Sequence, residues 1–401
     1  MGKLLYFTAV EIHADKLDGV AKKVIAQCRA LEGYFGKGSV FFSAFDGDEY
    51  TVRTASSLEE IDSLEFNPLE HRKLKLKTIY PQLLRFARDN GIDSVYFRSP
   101  GLDMFSRRFF QGLQSLGASI IVEIPTWPFW PEKRRQIKEA FSNSLIGGIT
   151  KAGGALCYWM ESRRLGGLID SVVTFSDVTS VWGLPAFGIS NGYDFDSAPK
   201  INEAMHDDEL RFVTAATLRE NHGIDRMIRA LASYRGDVPV SFHIAGEGDA
   251  SSELRGLAES LGVLDRTVFF YGYLYGSELV ALYENSDIGV SALGFHRYGV
   301  FNCSPLKTKE YLALGLPCLG TTSEKDILNS EASKYFYAVG SNEDPIPLDS
   351  VVSYFSDLKR NGLTRSEVRQ AGRAAFDWAV IMKPIAERFD FRSLRKDRYG
   401  C

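Results

Sequence analysis

The sequence has few cysteines, and their spacing excludes two classes of protein. Five are spread over 401 residues, at Cys28, Cys157, Cys303, Cys318 and Cys401. Their number is odd, and no two of them have the spacing of a disulfide framework or of a zinc site. A disulfide-stapled secreted domain and a zinc module are therefore excluded. The pattern predicts reduced thiols in a cytoplasmic protein.

The chain also lacks an excess of charge of one sign and lacks long apolar runs. It has 47 Lys and Arg against 51 Asp and Glu, a net charge of −4, which gives no basis for nucleic-acid binding. No apolar run reaches the roughly 18 residues that a membrane helix needs. The N-terminal stretch KLLYFTAV (3–10) is typical of a strand and has no signal-peptide layout. We expect a soluble cytoplasmic protein.

Several catalytic patterns are missing as well. The sequence contains no Gly-x-Ser-x-Gly and no P-loop pattern for binding phosphate. No His, Asp and Cys cluster has metal-ligand spacing, and no Asp-x-Asp occurs in a setting that would hold a metal-bound nucleotide. We therefore predict neither a metal nor an organic cofactor.

What the sequence does contain is an alternation of strand-like and helix-like stretches from end to end. KLLYFTAV (3–10) precedes a helical pattern at 19–35, and RFVTAAT (211–217) precedes another at 222–234. Such alternation predicts an α/β fold with parallel sheets covered on both faces.

The alternation restarts after a polar interval near residue 195, which predicts two domains. We expect a first Rossmann-like domain over 1–194 and a second over 195–382, with about 383–401 crossing back to the first. Ligands of open parallel sheets bind beyond the carboxyl ends of the strands. Two such domains would therefore meet at a ligand-binding cleft.

The segment SPLKTKEYLALG (304–315) predicts a short helix whose N-terminus faces an anion. Pro305 suits the first turn, where no amide hydrogen is needed. Lys307 and Lys309 put positive charge near the helix N-terminus, which is unfavourable unless an anion offsets it. Glu310 is near enough to accept hydrogen bonds from a ribose. The alternative is a capped core helix whose glutamate offsets the helix dipole.

These features together resemble the retaining GT-B glycosyltransferases of the glycosyl transferases group 1 type, in particular bacterial members that build polysaccharides. The resemblance rests on the two α/β halves, the junction ISNGYD (189–194) and the segment SPLKTKEYLALGLP (304–317). It is tight over roughly 189–320 and only topological over the first 180 residues. It implies a GT-B fold, with two Rossmann-like domains facing across a cleft, and a UDP- or GDP-linked sugar as donor.

The resemblance also implies roles for residues of the second half. The family's usual arginine and lysine after the first strand correspond to Thr217 and His222, with Arg219 between them. We expect Arg219, His222, Lys307 and Glu310 to act in catalysis, with the arginine able to bind a diphosphate in bidentate fashion. In the family, the glutamate that matches Glu310 holds the ribose hydroxyls. The alternative for His222 is a helix-start residue without a ligand.

Further nucleotide contacts are implied at two turns. AGEGD (245–249) places Gly246 and Gly248 after an apolar strand, although two glycines mark many tight turns. In the family this turn lines the nucleotide pocket. FFYGYL (269–274) supplies contacts to the base there, which points to Tyr273 and Leu274.

The donor sugar and diphosphate are expected along the loop before Glu310. The family's loop amides meet these groups, which here assigns Ser304 and Leu306. Asn302 stands where the family often carries a second glutamate, and a neutral amide can hydrogen-bond a sugar but cannot act as a charged stabiliser. His296 and Arg297 could position a phosphate or the sugar. The alternative for this pair is a salt bridge in a surface loop.

In the first half, the candidates lie after predicted strands. Asp18 and Gly19 begin a helix where the family's glycines let the backbone approach the donor sugar. Arg98 and Glu123 end two strands, and Trp127 follows between prolines. We expect these three on the acceptor side, with Trp127 either stacking on a sugar ring or closing a hydrophobic lid.

Two basic segments with apolar residues between the charges are HRKLKLK (71–77) and EKRRQIK (132–138). Lys and Arg near a surface attract anionic lipid by about 1 kcal/mol each. They predict peripheral contact with the inner face of a membrane, and the alternative is a pair of solvated helix faces.

The sequence thus predicts a retaining, metal-independent glycosyltransferase that extends a saccharide or lipid-linked acceptor. Two alternatives stay open. One is a sugar-nucleotide epimerase of the same fold, which would act on the donor without an acceptor. The other is a catalytically silent partner that binds a nucleotide sugar or holds together a glycan assembly complex, an idea that the neutral Asn302 keeps open.

Overall fold

The computed structural model describes residues 2–12, 19–67, 69–70, 72–125, 127, 129–176, 178–203 and 209–399. For residues 72–73, 129–132, 135 and 390–399 it describes the backbone alone. The chain divides into two compact units: unit 1 comprises Met1–Ile189 and Ile381–Cys401, and unit 2 comprises Ser190–Val380.

Unit 1 is built on a nine-stranded sheet with the strand order β4-β3-β2-β1-β5-β6-β7-β9-β8. Its strands are β1 Lys3–Glu11, β2 Val40–Asp46, β3 Glu49–Thr54, β4 Glu60–Leu64, β5 Ile92–Arg98, β6 Ser119–Ile124, β7 Ser171–Thr174, β8 Ser180–Val181 and β9 Leu184–Gly188. The strands from β2 to β9 in this order pair in parallel, which confirms the predicted parallel sheet. β3, β4 and β8 are antiparallel additions at its two ends, which the alternation did not predict.

Among the residues that the structure describes, six α-helices belong wholly or partly to unit 1. They are α1 Gly19–Phe35, α2 Arg72–Asp89, α3 Met104–Ser115, α4 Phe129–Asn143, α5 Leu145–Ser162 and, from Ile381 onward, α13 Trp378–Tyr399. The bounds of α1 are those that the periodicity predicts. α2 begins at Arg72 and takes in most of the basic segment at 71–77, whose alternating Lys and Leu are more typical of a strand. The sequence pattern predicted neither α4 nor α5.

The core of unit 1 is an aromatic cluster between β1, β5 and α3. Phe7 and Phe97 are direct partners in the parallel pairing of β1 and β5, and their rings stack at 4.3 Å. Phe109 and Phe110, from α3, lie beside this pair. Such burial is the main source of stability for the sheet and its helices. The stacked Phe7–Phe97 pair also holds the carboxyl ends of β1 and β5 in a fixed register.

Unit 2 is built on a six-stranded sheet, entirely parallel, with the order β12-β11-β10-β13-β14-β15. Its strands are β10 Leu210–Ala215, β11 Val240–Ala245, β12 Val268–Gly272, β13 Ile288–Val290, β14 Cys318–Thr321 and β15 Phe336–Val339. Its helices, apart from the first residues of α13, are α6 Ile224–Ser233, α7 Ser251–Ser260, α8 Gly276–Glu284, α9 Leu306–Leu314, α10 Lys325–Leu328, α11 Leu348–Arg360 and α12 Arg365–Phe376. None of the helices in the described part of the chain is long and apolar enough to cross a bilayer.

We predict that Leu113→Ala strongly destabilises unit 1. Leu113 is fully buried in the core that α3 forms with the sheet, and such a truncation costs about 2–5 kcal/mol. Leu116→Ala is the matched control, because Leu116 lies three residues later and is 39% exposed. Urea unfolding followed by circular dichroism should show a large loss for the first variant and a small one for the second. Equal losses would contradict this account of the core.

Candidate nucleotide-sugar site

The turn after β10 is held against the loop after β13 by a close backbone approach. Gly223, with φ of +61°, lies so near this loop that a Cβ on it would be 2.6 Å from backbone atoms of Leu293 and Gly294. The amide of Leu293 donates a hydrogen bond to the carbonyl of His222 at 2.8 Å. Only glycine permits both this approach and this φ. The contact therefore fixes His222 beside the loop that leads to α9.

Three basic residues, Arg219, His222 and Lys307, form what we call the cation cluster. Lys307 lies in the first turn of α9, and the other two lie on the turn before α6. Burial, with the charges of Lys307 and Arg219, lowers the pKa of His222 to about 3. Burial also lowers the pKa of Lys307 to about 8, although the charges of Glu324 and Glu310 oppose this. The three side chains are thus close enough for their charges to interact.

Two atoms of the cation cluster have unused hydrogen-bonding capacity. Nζ of Lys307 and Nδ1 of His222 are closed off from solvent and have no hydrogen-bond partner among the described residues. Burying a charged ammonium without a partner costs several kcal/mol, and a ring nitrogen of the neutral His222 without a partner costs about 1–3 kcal/mol more. The arrangement is therefore suited to an anion that would approach both atoms.

The start of α9 strengthens this anion site. Its N-cap residue, Pro305, makes no side-chain hydrogen bond to the first turn, so the free amides and the positive end of the helix dipole remain available to a ligand. Glu310 follows Lys307 by one turn and is partly buried. The pKa of Tyr193 is raised mainly by burial and next by the charge of Glu310. The two side chains are therefore near each other.

Lys309, two residues after Lys307, has its counter-charge inside unit 2. Its side chain is fully buried, and its Nζ lies 2.6 Å from Oδ2 of Asp326. Against the effect of burial, the Lys309 charge and the hydrogen bonds at Asp326 lower the pKa of this carboxyl. Glu324 is also buried and accepts a hydrogen bond from Oγ1 of Thr308 at 2.6 Å. These contacts fix the orientation of α9.

The loop before α9 is tied to the start of unit 2. Oγ of Ser304 accepts a hydrogen bond from the amide of Asn191 at 2.8 Å, and Nδ2 of Asn191 donates to the carbonyl of Ser304 at 2.6 Å. The Ser304 side chain, expected at the donor, thus contributes to the structure of its own loop. Asn302, on the same loop, and Leu306, the first residue of α9, are both partly buried.

The predicted nucleotide turns lie against each other. A Cβ on Gly246, whose φ is +117°, would lie 1.9 Å from the carbonyl oxygen of Ala216, and one on Gly248 would lie 2.3 Å from that of Leu218. A side chain at either position would collide with the backbone of residues 216–218. The close packing alone therefore explains why both residues are glycines, whether or not a nucleotide binds here. The hydroxyl of Tyr273 donates to the carbonyl of Glu247 at 3.3 Å.

Tyr273 itself is exposed, and its ring stacks on that of Tyr275 at 6.1 Å. Leu274, between them, is partly buried. The exposed stacked rings offer a planar apolar surface beside the Gly246–Gly248 turn.

Arg297 is not an unpaired member of the cation cluster, because it already has two acidic partners. Its guanidinium pairs with Asp225 at 2.8 Å and with Glu343 at 2.6 Å. Nε2 of His296 lies 2.7 Å from the same Glu343 carboxylate. The salt-bridge alternative therefore describes the contacts of this pair, which joins the β13 loop to α6 and to the segment after β15.

In unit 1, the acceptor-side candidates form two separate groups. Trp127 is packed against the core, with its ring edge-on to Trp182 at 5.9 Å, and its carbonyl accepts a hydrogen bond from Ser176 at 2.7 Å. These contacts are those of a residue that closes a hydrophobic core. Of the two donor-sugar candidates in unit 1, Gly19 is exposed as the first residue of α1, whereas Asp18 lies outside the described residues.

Arg98 and Glu123 form the second group. They are an ion pair at the ends of β5 and β6, and Glu123 is fully buried. Tyr96 donates a hydrogen bond to Glu123 at 2.8 Å. Lys23, from α1, joins them: burial lowers its pKa to about 7, although the Glu123 charge opposes this.

Comparison with known proteins identifies the fold. Residues 209–345 match the family model described as glycosyl transferases group 1. An uncharacterized glycosyltransferase of Methanocaldococcus jannaschii is 30% identical over 96 residues, which are 24% of this chain and 24% of the relative. The chain is thus matched to about a quarter of this curated relative's length.

Solved structures extend the likeness to nearly the whole chain. A glycosyltransferase from Rickettsia africae has a TM-score of 0.58 at 13% identity, covering 97% of this chain and 98% of that one. The Anabaena protein HepE in complex with UDP has a TM-score of 0.57 at 13% identity, covering 97% and 99%. This chain has the GT-B glycosyltransferase fold. The predicted fold class is therefore confirmed.

Sequence reasoning missed several residues that shape the sites of this GT-B chain. From the sequence, Lys309 is only a positive charge at a helix start, whereas in the structure it is the buried partner of Asp326. Asp326 and Glu324 follow β14, and the carboxyl end of that strand is the signal that could have pointed to them. Lys23 follows Lys22 directly, and only the packing of α1 shows which of the two is buried.

We predict that the free energy of unfolding of this GT-B chain depends on pH through Glu324, and that Glu324→Gln removes this dependence. Burial raises the pKa of Glu324 to about 7, so the folded state holds a proton that the unfolded state loses at about 4.5. The free energy of unfolding therefore falls as the pH rises from about 4.5 to 7, by on the order of 3 kcal/mol, and stays level above that. Urea unfolding at pH 5 and pH 8 measures the difference.

The exposed Glu331→Gln provides the control, because the residue lies nearby but outside the core. It should retain the wild-type fall in stability, whereas Glu324→Gln should be the more stable protein at pH 8. If the wild type and Glu324→Gln lose the same stability between the two pH values, the Glu324 carboxyl does not titrate as described.

Proposed function

We propose that this chain is a glycosyltransferase that moves a sugar from a UDP- or GDP-linked donor to a saccharide or lipid-linked acceptor. The proposal includes a retaining, metal-independent reaction, a cytoplasmic location and a role in bacterial polysaccharide or glycolipid synthesis. The family match over unit 2 and the GT-B fold support the class of reaction. Retention and the bacterial pathway rest on the family resemblance alone.

One observation carries the proposal: the Lys307 ammonium is enclosed beside His222 at the uncapped start of α9, without a hydrogen-bond partner among the described residues. Lys309, on the same helix turn, has its ion pair with Asp326. A helix N-terminus with free amides and an unpaired ammonium favours a phosphate group. A diphosphate would satisfy Lys307 and could accept a hydrogen bond from the neutral His222 ring, while Arg219 could reach it from the exposed side.

The chemistry follows from where negative charge develops. When the bond between the anomeric carbon and the diphosphate oxygen breaks, the electron pair goes to the leaving diphosphate. The acceptor hydroxyl forms the new bond to the anomeric carbon, and its proton passes to the diphosphate oxygen that has gained the electron pair. Positive charge placed in advance around the leaving group stabilises this transition state. Lys307 and Arg219 of the cation cluster supply such charge, and Asn302 can add a neutral hydrogen bond.

The nucleoside part of the donor would lie along the neighbouring turns. Glu310 would accept hydrogen bonds from the ribose hydroxyls. The base would lie against Tyr273 and Leu274, beside the Gly246–Gly248 turn. Complexes of the Anabaena protein hold UDP, UDP-glucose, or UDP with glucose, and they make UDP the first nucleotide to test here.

We predict that UDP or GDP binds without magnesium and that Lys307→Met weakens this binding about 10- to 100-fold, because a hydrogen bond to a charged group contributes about 1.5–3 kcal/mol. Isothermal titration with UDP, GDP, ADP and CMP, each with and without magnesium, measures it. Lys325→Met is the matched control, since Lys325 is exposed in the same unit. Glu310→Ala should also weaken binding, through the ribose.

The outcomes of this titration separate the alternatives. Binding that needs magnesium, or that Lys307→Met leaves unchanged, contradicts the proposed diphosphate site. Binding without sugar transfer to any acceptor would favour the silent partner. Conversion of the donor sugar in the absence of an acceptor would favour the epimerase.

We further predict that nucleotide binding takes up protons at pH 8. The pKa of Lys307 is about 8 in the ligand-free protein, so about half of the molecules carry the charge, and a nearby diphosphate raises this pKa. Affinity should therefore fall as the pH rises above 8. The apparent binding enthalpy should differ between Tris and HEPES buffers, whose ionisation enthalpies differ, and Lys307→Met should reduce the difference. Equal enthalpies in both buffers would show that no group titrates on binding.

A further inference from the structure

Helix α6 carries a buried arginine whose side chain binds the backbone of two other loops. Arg226, in the first turn of α6, is 6% exposed. Its guanidinium donates hydrogen bonds to the carbonyl of Leu293 after β13, at 2.6 Å, and to the carbonyls of Gly340 and Asp344 after β15, at 3.4 and 3.0 Å. A buried cation is stable only where such acceptors compensate for its lost hydration. Arg226 and the two loops therefore fix one another's positions.

Leu293 is bound through both of its backbone polar groups. Arg226 binds its carbonyl, and its amide donates to the carbonyl of His222 at 2.8 Å. His222 lies only four residues before Arg226, so one short stretch of chain holds Leu293 on two sides. Leu293 is also fully buried. The loop after β13 cannot move away from the turn before α6 without breaking both hydrogen bonds.

These two hydrogen bonds connect the parts of the cation cluster. Arg219 and His222 lie on the turn before α6, whereas Lys307 lies in α9, which the chain reaches through the loop after β13. The charges of Lys307 and Arg219 both act on His222, and such interactions weaken with distance. A shift of the Leu293 segment would therefore change the spacing of the cluster.

An arginine suits this position better than a lysine would. Its planar guanidinium presents several N–H groups in a rigid fork. Here Nη1 binds the Leu293 carbonyl while Nη2 binds that of Asp344, and both lie 3.4 Å from the carbonyl oxygen of Gly340. A flexible ammonium carries the same charge but cannot hold the two loops at a set spacing. Because Arg226 is enclosed, it can influence a ligand only through the residues that it positions.

We propose that Arg226 is a positioning residue of the cation cluster: it holds the Leu293 carbonyl and so keeps the loop that leads to α9 against the turn that carries His222. This inference rests on the proposed function, because it assigns the effect of Arg226 to diphosphate binding. It adds a residue that the motifs of the sequence do not indicate, since the partners of Arg226 lie on loops distant from it in the chain.

The first test is isothermal titration of UDP and of GDP into the wild type, Arg226→Lys and Arg226→Met. We expect both variants to bind the nucleotide about tenfold more weakly, the scale on which residues behind a binding group act, because the lysine keeps the charge but not the fork. Arg229→Met is the matched control: Arg229 lies on the next turn of α6 and is exposed. It should leave the affinity unchanged although it removes a positive charge. Wild-type affinity in Arg226→Lys would overturn the proposal.

A double-mutant cycle tests whether the effect passes through the cation cluster. If Arg226 positions Lys307, the loss of affinity caused by Lys307→Met should be at least about threefold smaller in the Arg226→Lys background than in the wild type, because residues in one network do not act additively. A residue with a purely structural role elsewhere in unit 2 would not change the effect of Lys307→Met. Independent losses that multiply therefore contradict the proposal.

Hydrogen exchange of the Leu293 amide tests the same contact without a nucleotide. Its rate should rise about tenfold in Arg226→Lys, because local opening becomes easier, whereas the rate of the Ile244 amide in β11 should not change. Equal rises at both amides would indicate general destabilisation of unit 2 and would count against the positioning role. So would an unchanged rate at Leu293.

The proposed function fails in a different way. If the wild type binds neither UDP nor GDP, or Lys307→Met leaves the affinity unchanged, the diphosphate site is wrong and the role of Arg226 in nucleotide binding falls with it. If Lys307→Met weakens binding and Arg226→Lys does not, the diphosphate site stands and only the positioning role is overturned. Circular dichroism checks the fold of each variant, and the milder Arg226→Lys carries each comparison.

Discussion

Helix α9 begins with two lysines, and the ion pair of one of them determines what the other can do. Lys309 is buried against Asp326 at 2.6 Å, and a buried pair of this kind is costly to break because either partner alone would be left uncompensated. The pair therefore fixes the rotation of α9 about its axis. With that rotation fixed, Lys307 is directed towards His222, where its ammonium has no hydrogen-bond partner among the described residues.

This arrangement also depends on how closely the loops of unit 2 approach one another. Gly223 lies against the backbone of Gly294, and Gly246 lies against that of Ala216, at distances where any side chain would collide. Parallel strands bring their carboxyl ends to one edge of the sheet, but side chains on both loops would keep the turns apart. The glycines remove this barrier, so that residues distant in sequence come within range of one another's charge. The proposed anion site is thus a consequence of backbone packing as much as of basic residues.

The sequence predicted the α/β fold and the bounds of regular elements such as α1, because their apolar residues keep one period throughout. It did not predict α4 and α5, whose pattern is interrupted by the prolines before and within α4 and by two pairs of glycines in α5. Within the candidate site, spacing placed Lys307 and Glu310 on one short helix. It could not distinguish Lys307 from Lys309, because which lysine is buried depends on Asp326, a residue distant in sequence.

The net charge of the chain likewise does not predict where charge is concentrated locally. A net charge of −4 argues against a long nucleic-acid partner, yet charges act mainly within a Debye length of about 8 Å at physiological salt. Positive charge can therefore be concentrated locally in an acidic chain, as it is in the cation cluster of unit 2 and over residues 129–164 of unit 1. In the cation cluster, enclosed hydrogen-bond donors lie beside the free amides at the start of α9, and this combination suits a small, multiply charged group.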